Sequence, residues 1–121
     1  MSSSLSILIV EDEPLIAMML EDFLDSLGHR IVATADSVNG ALPYVEQADF
    51  DVAIIDVHLR GGELAWPLAD ALASRGVPFV VATGGTIEPP PVQHAKAPVL
   101  AKPYTIDAIE PALNAACGAR A

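Results

Sequence analysis

Four segments of the sequence place a polar or charged side chain directly after an apolar run. Glu11 and Asp12 follow the run ILIV, and Asp56 follows the run VAII. Thr83 follows FVVA, and Lys102 follows VLA. Carboxylates, a hydroxyl and an ammonium group are the side chains that phosphoryl transfer needs, because they supply a nucleophile, ligands for a hard cation and neutralising charge.

The acidic residues of this set also indicate a metal site. If the first and third strands are neighbours in a sheet, Glu11, Asp12 and Asp56 converge, and their carboxylates repel one another unless a proton or cation is bound. An anionic site built of oxygen atoms favours Mg²⁺, which keeps several waters and binds one or two carboxylates directly. Taken singly, such residues commonly cap helices or end strands. Their placement together at neighbouring strand ends favours a metal-binding or catalytic role over simple capping.

Hydrophobic spacing indicates the elements that must position these residues. Short apolar runs predict five strands, at residues 6–10, 30–33, 52–55, 78–82 and 99–101. Apolar residues at helical spacing predict helices at residues 14–27, 38–48, 64–74 and 105–116. This alternation is typical of βαβ units, whose right-handed crossovers build a parallel sheet with helices on both faces. Ligands of such sheets bind beyond the carboxyl ends of the strands.

Residues that begin and end helices support these bounds. Pro14 suits a first helical turn, Gly28 ends that helix, and Ser37 opens the next one. The fourth crossover is different, because it contains three consecutive prolines at residues 89–91, which a regular helix does not accommodate. We expect a loop there, with at most a short helix near residues 92–95.

Length and charge exclude several classes of protein. At 121 residues, the chain is long enough for a single domain spanning residues 1–121, with its core at residues 6–116. Sixteen acidic residues against six basic ones give a net charge of −10, which repels nucleic acid phosphates. No apolar run approaches the ~20 residues of a membrane-spanning helix, and the first residues lack the pattern of a secretory signal. We therefore expect a cytoplasmic protein that binds neither nucleic acid directly nor a membrane.

The remaining reactive and aromatic side chains form no recognisable pattern. The single cysteine, Cys117, cannot form an internal disulfide and is expected to pack as a small apolar residue. His58 and His94 lack the paired His or Cys spacing of a transition-metal site, so we expect ordinary surface or loop residues. Trp66 and Tyr104 are expected to be partly buried.

The ordered set of polar residues resembles the receiver domain of response regulators, the CheY-like phosphoacceptor of two-component signalling. The resemblance covers about residues 6–116. It is carried by the pair Glu11-Asp12, by Asp56 in AIIDVHL, by Thr83 in VATG, and by Lys102 with the proline that follows it. It implies a flavodoxin-like α/β fold with strand order 2-1-3-4-5. The prolines at residues 89–91 predict that the fourth helix of this fold is short or replaced by a loop.

The resemblance also implies a phosphoacceptor and a metal site. Asp56 would accept a phosphoryl group from a histidine kinase or a phosphotransfer protein. Mg²⁺ would be bound by Asp12, Asp56 and the backbone carbonyl of His58, with Glu11 acting mainly through metal-bound water. Kinase docking is expected on the exposed face of the first helix and on the rim formed by residues 102–104.

Two further residues would contact the phosphoryl group in such a protein. Thr83 would donate a hydrogen bond to one phosphoryl oxygen, and Lys102 would form an ion pair with another. Receivers usually have a cis peptide bond after this lysine, so we expect one between Lys102 and Pro103.

The chain departs from the common receiver pattern at one position. Receivers often carry Tyr or Phe three residues before the lysine, where this chain has Val99, and an aromatic residue instead follows the lysine at Tyr104. Together with the segment PFVVATGG at residues 78–85, this is similar to the FAT GUY subgroup, whose members are mostly stand-alone receivers. Val81 replaces the second Phe of that motif.

The function expected from the resemblance is that of a single-domain response regulator that signals to an unknown downstream protein by conformational change. It would catalyse only its own phosphorylation and dephosphorylation. Two alternatives stay open. One is a receiver fold that binds proteins without being phosphorylated. The other is a small phosphatase of the haloacid dehalogenase type, which needs a second Asp where this chain has His58.

Overall fold

A single parallel sheet organises the computed structural model, which describes residues 4–84 and 91–118. Its strands are β1 (Ser6–Val10), β2 (Arg30–Ala35), β3 (Val52–Asp56), β4 (Phe79–Thr83) and β5 (Val99–Ala101). They lie in the order β2-β1-β3-β4-β5, and every pairing is parallel. The flavodoxin-like order 2-1-3-4-5 is therefore confirmed.

Helices cover both faces of the sheet, as the sequence predicts. They are α1 (Pro14–Ser26), α2 (Val38–Gln47), α3 (Trp66–Ser74) and α4 (Ile106–Gly118). Alternate residues of β1 enter opposite clusters: Leu8 packs with α2 and α3, and Ile9 packs with α1 and α4. This period of two follows from the strand geometry, which directs successive side chains to opposite faces.

Most helix ends follow local rules. The Ser37 hydroxyl accepts a hydrogen bond of 2.9 Å from the Gly40 amide, which confirms the predicted start of α2. Gly28, with φ of +87°, follows the end of α1, where a left-handed conformation favours glycine. The third helix begins at Trp66 and not at residue 64, because Leu64 pairs with His58 in an antiparallel bridge.

The second and fourth strands also differ from their predicted ranges. β2 continues to Ala35, two residues beyond the predicted end, because its last residues pair with Ile9 and Val10 of β1. β4 begins at Phe79 and includes Thr83. A pairing partner that is distant in the sequence therefore decides where these strands end.

The fourth crossover contains no α-helix in the part that the structure describes. A single 3₁₀ turn, Val92–His94, precedes β5, in agreement with the expected short helix. The prediction of a loop at residues 85–90 lies outside the described residues. Among the described helices, none has the length and apolar character required to cross a membrane.

The structure corrects the prediction made for His94. The expectation of an ordinary surface or loop residue is wrong, because His94 is only 5% exposed. Its ring stacks on Trp66 with the centroids 5.8 Å apart and forms a T-shaped contact with Phe79 with the centroids 5.4 Å apart. Nε2 lies 2.7 Å from a carboxylate oxygen of Asp70. Two aromatic rings and one polar partner together make burial of an imidazole favourable.

Candidate functional site

Three carboxylates meet at the carboxyl ends of β1 and β3. Glu11 and Asp12 directly follow β1, and Asp56 is the last residue of β3. Val10 of β1 pairs with Ile55 of β3, so the two strand ends lie side by side. One oxygen from each carboxylate lies within 4.8 Å of the others. Glu11 and Asp56 are buried, at 2% and 4% exposure. The predicted convergence is confirmed as geometry.

Lys102 lies against two of these carboxylates. Its Nζ is 2.8 Å from Asp56 Oδ2 and 3.0 Å from Glu11 Oε1. Its backbone amide donates a hydrogen bond of 2.9 Å to the Thr83 carbonyl, which aligns the segment after β5 with the end of β4. The peptide bond from Lys102 to Pro103 is cis, as expected. The ammonium group therefore partly balances the charge of the carboxylates.

Burial and charge shift the pKa values of this cluster. Burial raises the pKa of Glu11, with a further rise from the Asp56 charge, while hydrogen bonds from Lys102 and the Glu13 amide oppose the rise. Burial alone would lower the pKa of Lys102, but the hydrogen bonds to Asp56 and Glu11 and the negative charges of these residues together outweigh it, so the pKa of Lys102 is raised. The ammonium group therefore remains charged at neutral pH.

Both oxygens of Asp56 have a hydrogen-bond donor. Lys102 occupies Oδ2, and the backbone amide of His58 donates to Oδ1 at 3.2 Å. The resemblance to receiver domains implies a metal-ligand carbonyl at His58, and the amide of this residue lies beside Asp56. Thr83 is half-buried and directly follows Ala82, the β4 residue that pairs with Asp56. All the predicted site residues therefore lie at one edge of the sheet.

Tyr104 belongs to the same cluster, which the expectation of partial burial did not anticipate. Its side chain is 5% exposed, and its hydroxyl donates to Glu11 Oε1 at 3.4 Å. Burial, together with the nearby carboxylates, raises the pKa of Tyr104 well above its usual range. Tyr104 is therefore too buried for the docking rim predicted at residues 102–104.

A cleft of about 440 Å³ opens beside the carboxylates, between α1 and α2. Its lining includes Glu11, Asp12, Tyr44 and two residues at the end of β2, Thr34 and Asp36. The sequence shows nothing notable at the end of β2, since the residues there match no catalytic pattern. The cleft is lined by Glu11 and Asp12 but not by Asp56, so it reaches only two of the three carboxylates.

The donor set fits a hard divalent cation. Three carboxylates meet here, Lys102 contacts two of them, Glu11 and Asp56, and all candidate ligand atoms are oxygens. Asp12 is half-buried beside two buried acids, which leaves a route to water. Mg²⁺, which retains several waters when bound to protein, matches this arrangement.

The fold and this cluster define a class of protein, the flavodoxin-like α/β domains with an acidic, lysine-bearing site at the carboxyl ends of the strands. The family described as response regulator receiver domain matches residues 7–113. The chain belongs to this family.

Several solved structures are similar over nearly the whole chain. SdrG from Sphingomonas melonis Fr1 is 55% identical with a TM-score of 0.83, covering 95% of this chain and 98% of SdrG. The BeF3-activated conformation of SdrG from Pseudomonas melonis Fr1 is 54% identical with a TM-score of 0.80, covering 96% and 99%. The receiver domain of PhyR from Erythrobacter litoralis is 29% identical with a TM-score of 0.74, covering 94% and 90%. No curated protein sequence matches the chain.

Proposed function

We propose that the chain is a single-domain response regulator that accepts a phosphoryl group on Asp56, in the presence of Mg²⁺, from a histidine kinase or a phosphotransfer protein. The observation that carries this proposal is the cluster itself. A buried carboxylate at the end of β3 lies 2.8 Å from Lys102 and within 4.8 Å of two further carboxylates. Residues 1–121 would act as one receiver domain with its core at residues 6–116.

The reaction is an in-line transfer between a nitrogen and an oxygen. A carboxylate oxygen of Asp56 attacks phosphorus, and the new O–P bond forms as the P–N bond of the donor phosphohistidine breaks. The electron pair of the broken bond stays on the imidazole nitrogen. Hydrolysis later returns the carboxylate and inorganic phosphate, so the chain would catalyse only its own phosphorylation and dephosphorylation.

Each residue of the cluster has a role in this proposal. Asp12, Asp56 and the carbonyl of His58 would hold Mg²⁺, with Glu11 acting through water. When bound, the ion neutralises charge on the phosphoryl oxygens. Lys102 already contacts one oxygen of Asp56, so a small displacement would pair its ammonium group with a phosphoryl oxygen.

Thr83 would connect this chemistry to a conformational change. Its hydroxyl would donate to another phosphoryl oxygen, which would draw the end of β4 toward Asp56. The chain continues from the end of β4 to the buried His94. A displacement of the end of β4 would therefore alter the nearby surface that a downstream protein could bind. SdrG, which is 54% identical, has a BeF3-activated conformation, and this supports a phosphorylation-driven change here.

The test is phosphorylation by acetyl phosphate with MgCl₂, followed by intact mass spectrometry. The wild-type protein should gain one phosphoryl group, and Asp56→Asn should gain none. Asp49→Asn, which changes an exposed aspartate in the same way, should behave as the wild type. Incorporation that persists in Asp56→Asn would overturn the assignment.

The two alternatives have different signatures in the same experiment. Repeated turnover of p-nitrophenyl phosphate would indicate a phosphatase of the haloacid dehalogenase type. Failure of the wild type to gain mass from acetyl phosphate or from any phosphorylated histidine protein would indicate a receiver fold that only binds proteins.

A further inference from the structure

The loop after β3 is a short closed hairpin, here called the 57–65 hairpin. It reverses at Gly61 and Gly62, whose φ angles of +75° and +81° lie in the left-handed region. Its two sides are joined by backbone hydrogen bonds from Leu59 to Glu63 at 2.7 Å and from Ala65 to Val57 at 3.0 Å. These two hydrogen bonds hold the two sides of the hairpin together.

This hairpin contains His58, the residue next to the phosphoacceptor. The His58 amide donates to Asp56 Oδ1, and His58 pairs with Leu64 across the hairpin. The carbonyl of His58 is the backbone ligand of the proposed Mg²⁺ site. Any displacement of the hairpin would therefore move both a proposed ligand and a donor to Asp56.

The side chain of Glu63 connects the hairpin to a different element. Its Oε1 accepts a hydrogen bond of 3.1 Å from the amide of Val38, the first residue of α2. The first amides of a helix have no intrahelical acceptor, and a carboxylate there also interacts favourably with the helix dipole. The Gly40 amide, in the same turn, is bound by Ser37. Glu63 therefore fixes the hairpin to a helix that is packed into the core.

We infer that Glu63 is a positioning residue for the metal site: by binding the Val38 amide, it fixes the hairpin that carries His58 and thereby raises the affinity for Mg²⁺. The inference rests on the proposed function. Mg²⁺ demands near-ideal octahedral geometry, so a backbone ligand on an unfixed loop binds it less well. Groups that orient metal ligands typically change metal affinity by about 10- to 100-fold.

Two variants separate the charge of Glu63 from its hydrogen bond. Glu63→Gln keeps an oxygen that accepts from the Val38 amide, and Glu63→Ala removes it. Glu46→Ala is the matched control, because it removes an exposed glutamate from α2 and changes net charge by the same amount as Glu63→Ala. Each variant is titrated with MgCl₂, with binding followed by amide NMR signals of the site, and amide exchange at Val38 reports the hydrogen bond.

Glu63→Ala should weaken Mg²⁺ binding about tenfold and speed exchange of the Val38 amide. Glu63→Gln should lose far less Mg²⁺ affinity than Glu63→Ala, and Glu46→Ala should keep the wild-type affinity. If Glu63 has a purely structural role, Glu63→Ala will have a lower urea midpoint but an unchanged Mg²⁺ affinity in the folded protein. That result would overturn the inference about Glu63 and leave the proposed function intact. A wild-type protein that binds no Mg²⁺ would overturn the proposed function as well.

Discussion

Lys102 contacts both buried carboxylates of the site, with its Nζ 2.8 Å from Asp56 and 3.0 Å from Glu11. The contact joins the segment after β5 to the ends of β1 and β3. It also places a positive charge beside Asp56, the residue proposed to receive a phosphoryl group. The ammonium group therefore already lies where it could neutralise charge on a phosphoryl group bound to Asp56.

The first prediction concerns this ammonium group. Lys102→Met should slow phosphorylation by acetyl phosphate about 100-fold, because it removes one of the preorganised charges that stabilise the transferring phosphoryl group. The measurement is the initial rate of phosphoprotein formation at saturating MgCl₂. Lys96→Met, which removes an exposed lysine, should keep the wild-type rate. A wild-type rate in Lys102→Met would contradict the role given to this residue.

The second prediction concerns the raised pKa of Glu11. A carboxyl group whose pKa is higher in the folded state binds more protons when folded than when unfolded. Stability is then highest below its ordinary value of 4.5 and falls as pH rises through the higher folded value. Glu11→Gln removes this charge, so its free energy of unfolding should increase relative to that of the wild type as pH rises above 4.5.

Urea unfolding of both proteins over a pH series, without Mg²⁺, measures this difference. Glu13→Gln, which changes a neighbouring exposed glutamate, should show no such trend. If the difference between Glu11→Gln and the wild type stayed constant with pH, burial would not control the ionisation of Glu11.

Much of the site could be predicted because its residues follow strand ends. Parallel pairing brings the carboxyl ends of strands to one edge, so Asp12, Asp56 and Lys102 converge once the strands are located. The continuous apolar runs also predict that both faces of the sheet are covered. These properties depend on local patterns and on one general rule of α/β topology.

The remaining features depend on contacts between residues far apart in the sequence. The burial of His94 depends on contacts with Trp66 and Phe79. The spacing of these residues in the sequence does not predict the contacts. The contact of Glu63 with the first amide of α2 spans 25 positions and matches no capping motif. Tyr104 reaches Glu11 across 93 positions. Local sequence rules carry no information about such pairs.

The third prediction tests the hydroxyl of Tyr104. Tyr104→Phe keeps the buried ring and removes only the donor to Glu11, so it should lower the free energy of unfolding by about 1 kcal/mol. The measurement is urea denaturation at neutral pH. Tyr44→Phe, at an exposed tyrosine of α2, should have almost no effect. Equal effects of the two substitutions would show that the Tyr104 hydroxyl contributes nothing through Glu11.

The fourth prediction concerns the contact of His94 with α3. His94→Ala removes a buried ring and its hydrogen bond to Asp70, so it should lower the free energy of unfolding by about 2 to 4 kcal/mol. Trp66 is the single tryptophan of the chain, and it loses its stacking partner in this variant. Its emission should shift to longer wavelength as water reaches the ring.

A matched comparison distinguishes the stack from the hydrogen bond. His94→Phe keeps an aromatic ring against Trp66 and loses the polar contact, so it should retain the wild-type emission with a smaller loss of stability. Asp70→Asn keeps the His94 ring and changes the polar contacts of Asp70, since hydrogen bonds with His94 and then Gln93 lower the pKa of Asp70. The stability from this contact is present above the ordinary pKa of 3.8 and is lost as pH falls through the lower folded value. The wild type and Asp70→Asn should therefore differ at neutral pH and converge in acid, and a difference that persisted in acid would show that the charge of Asp70 does not stabilise the contact.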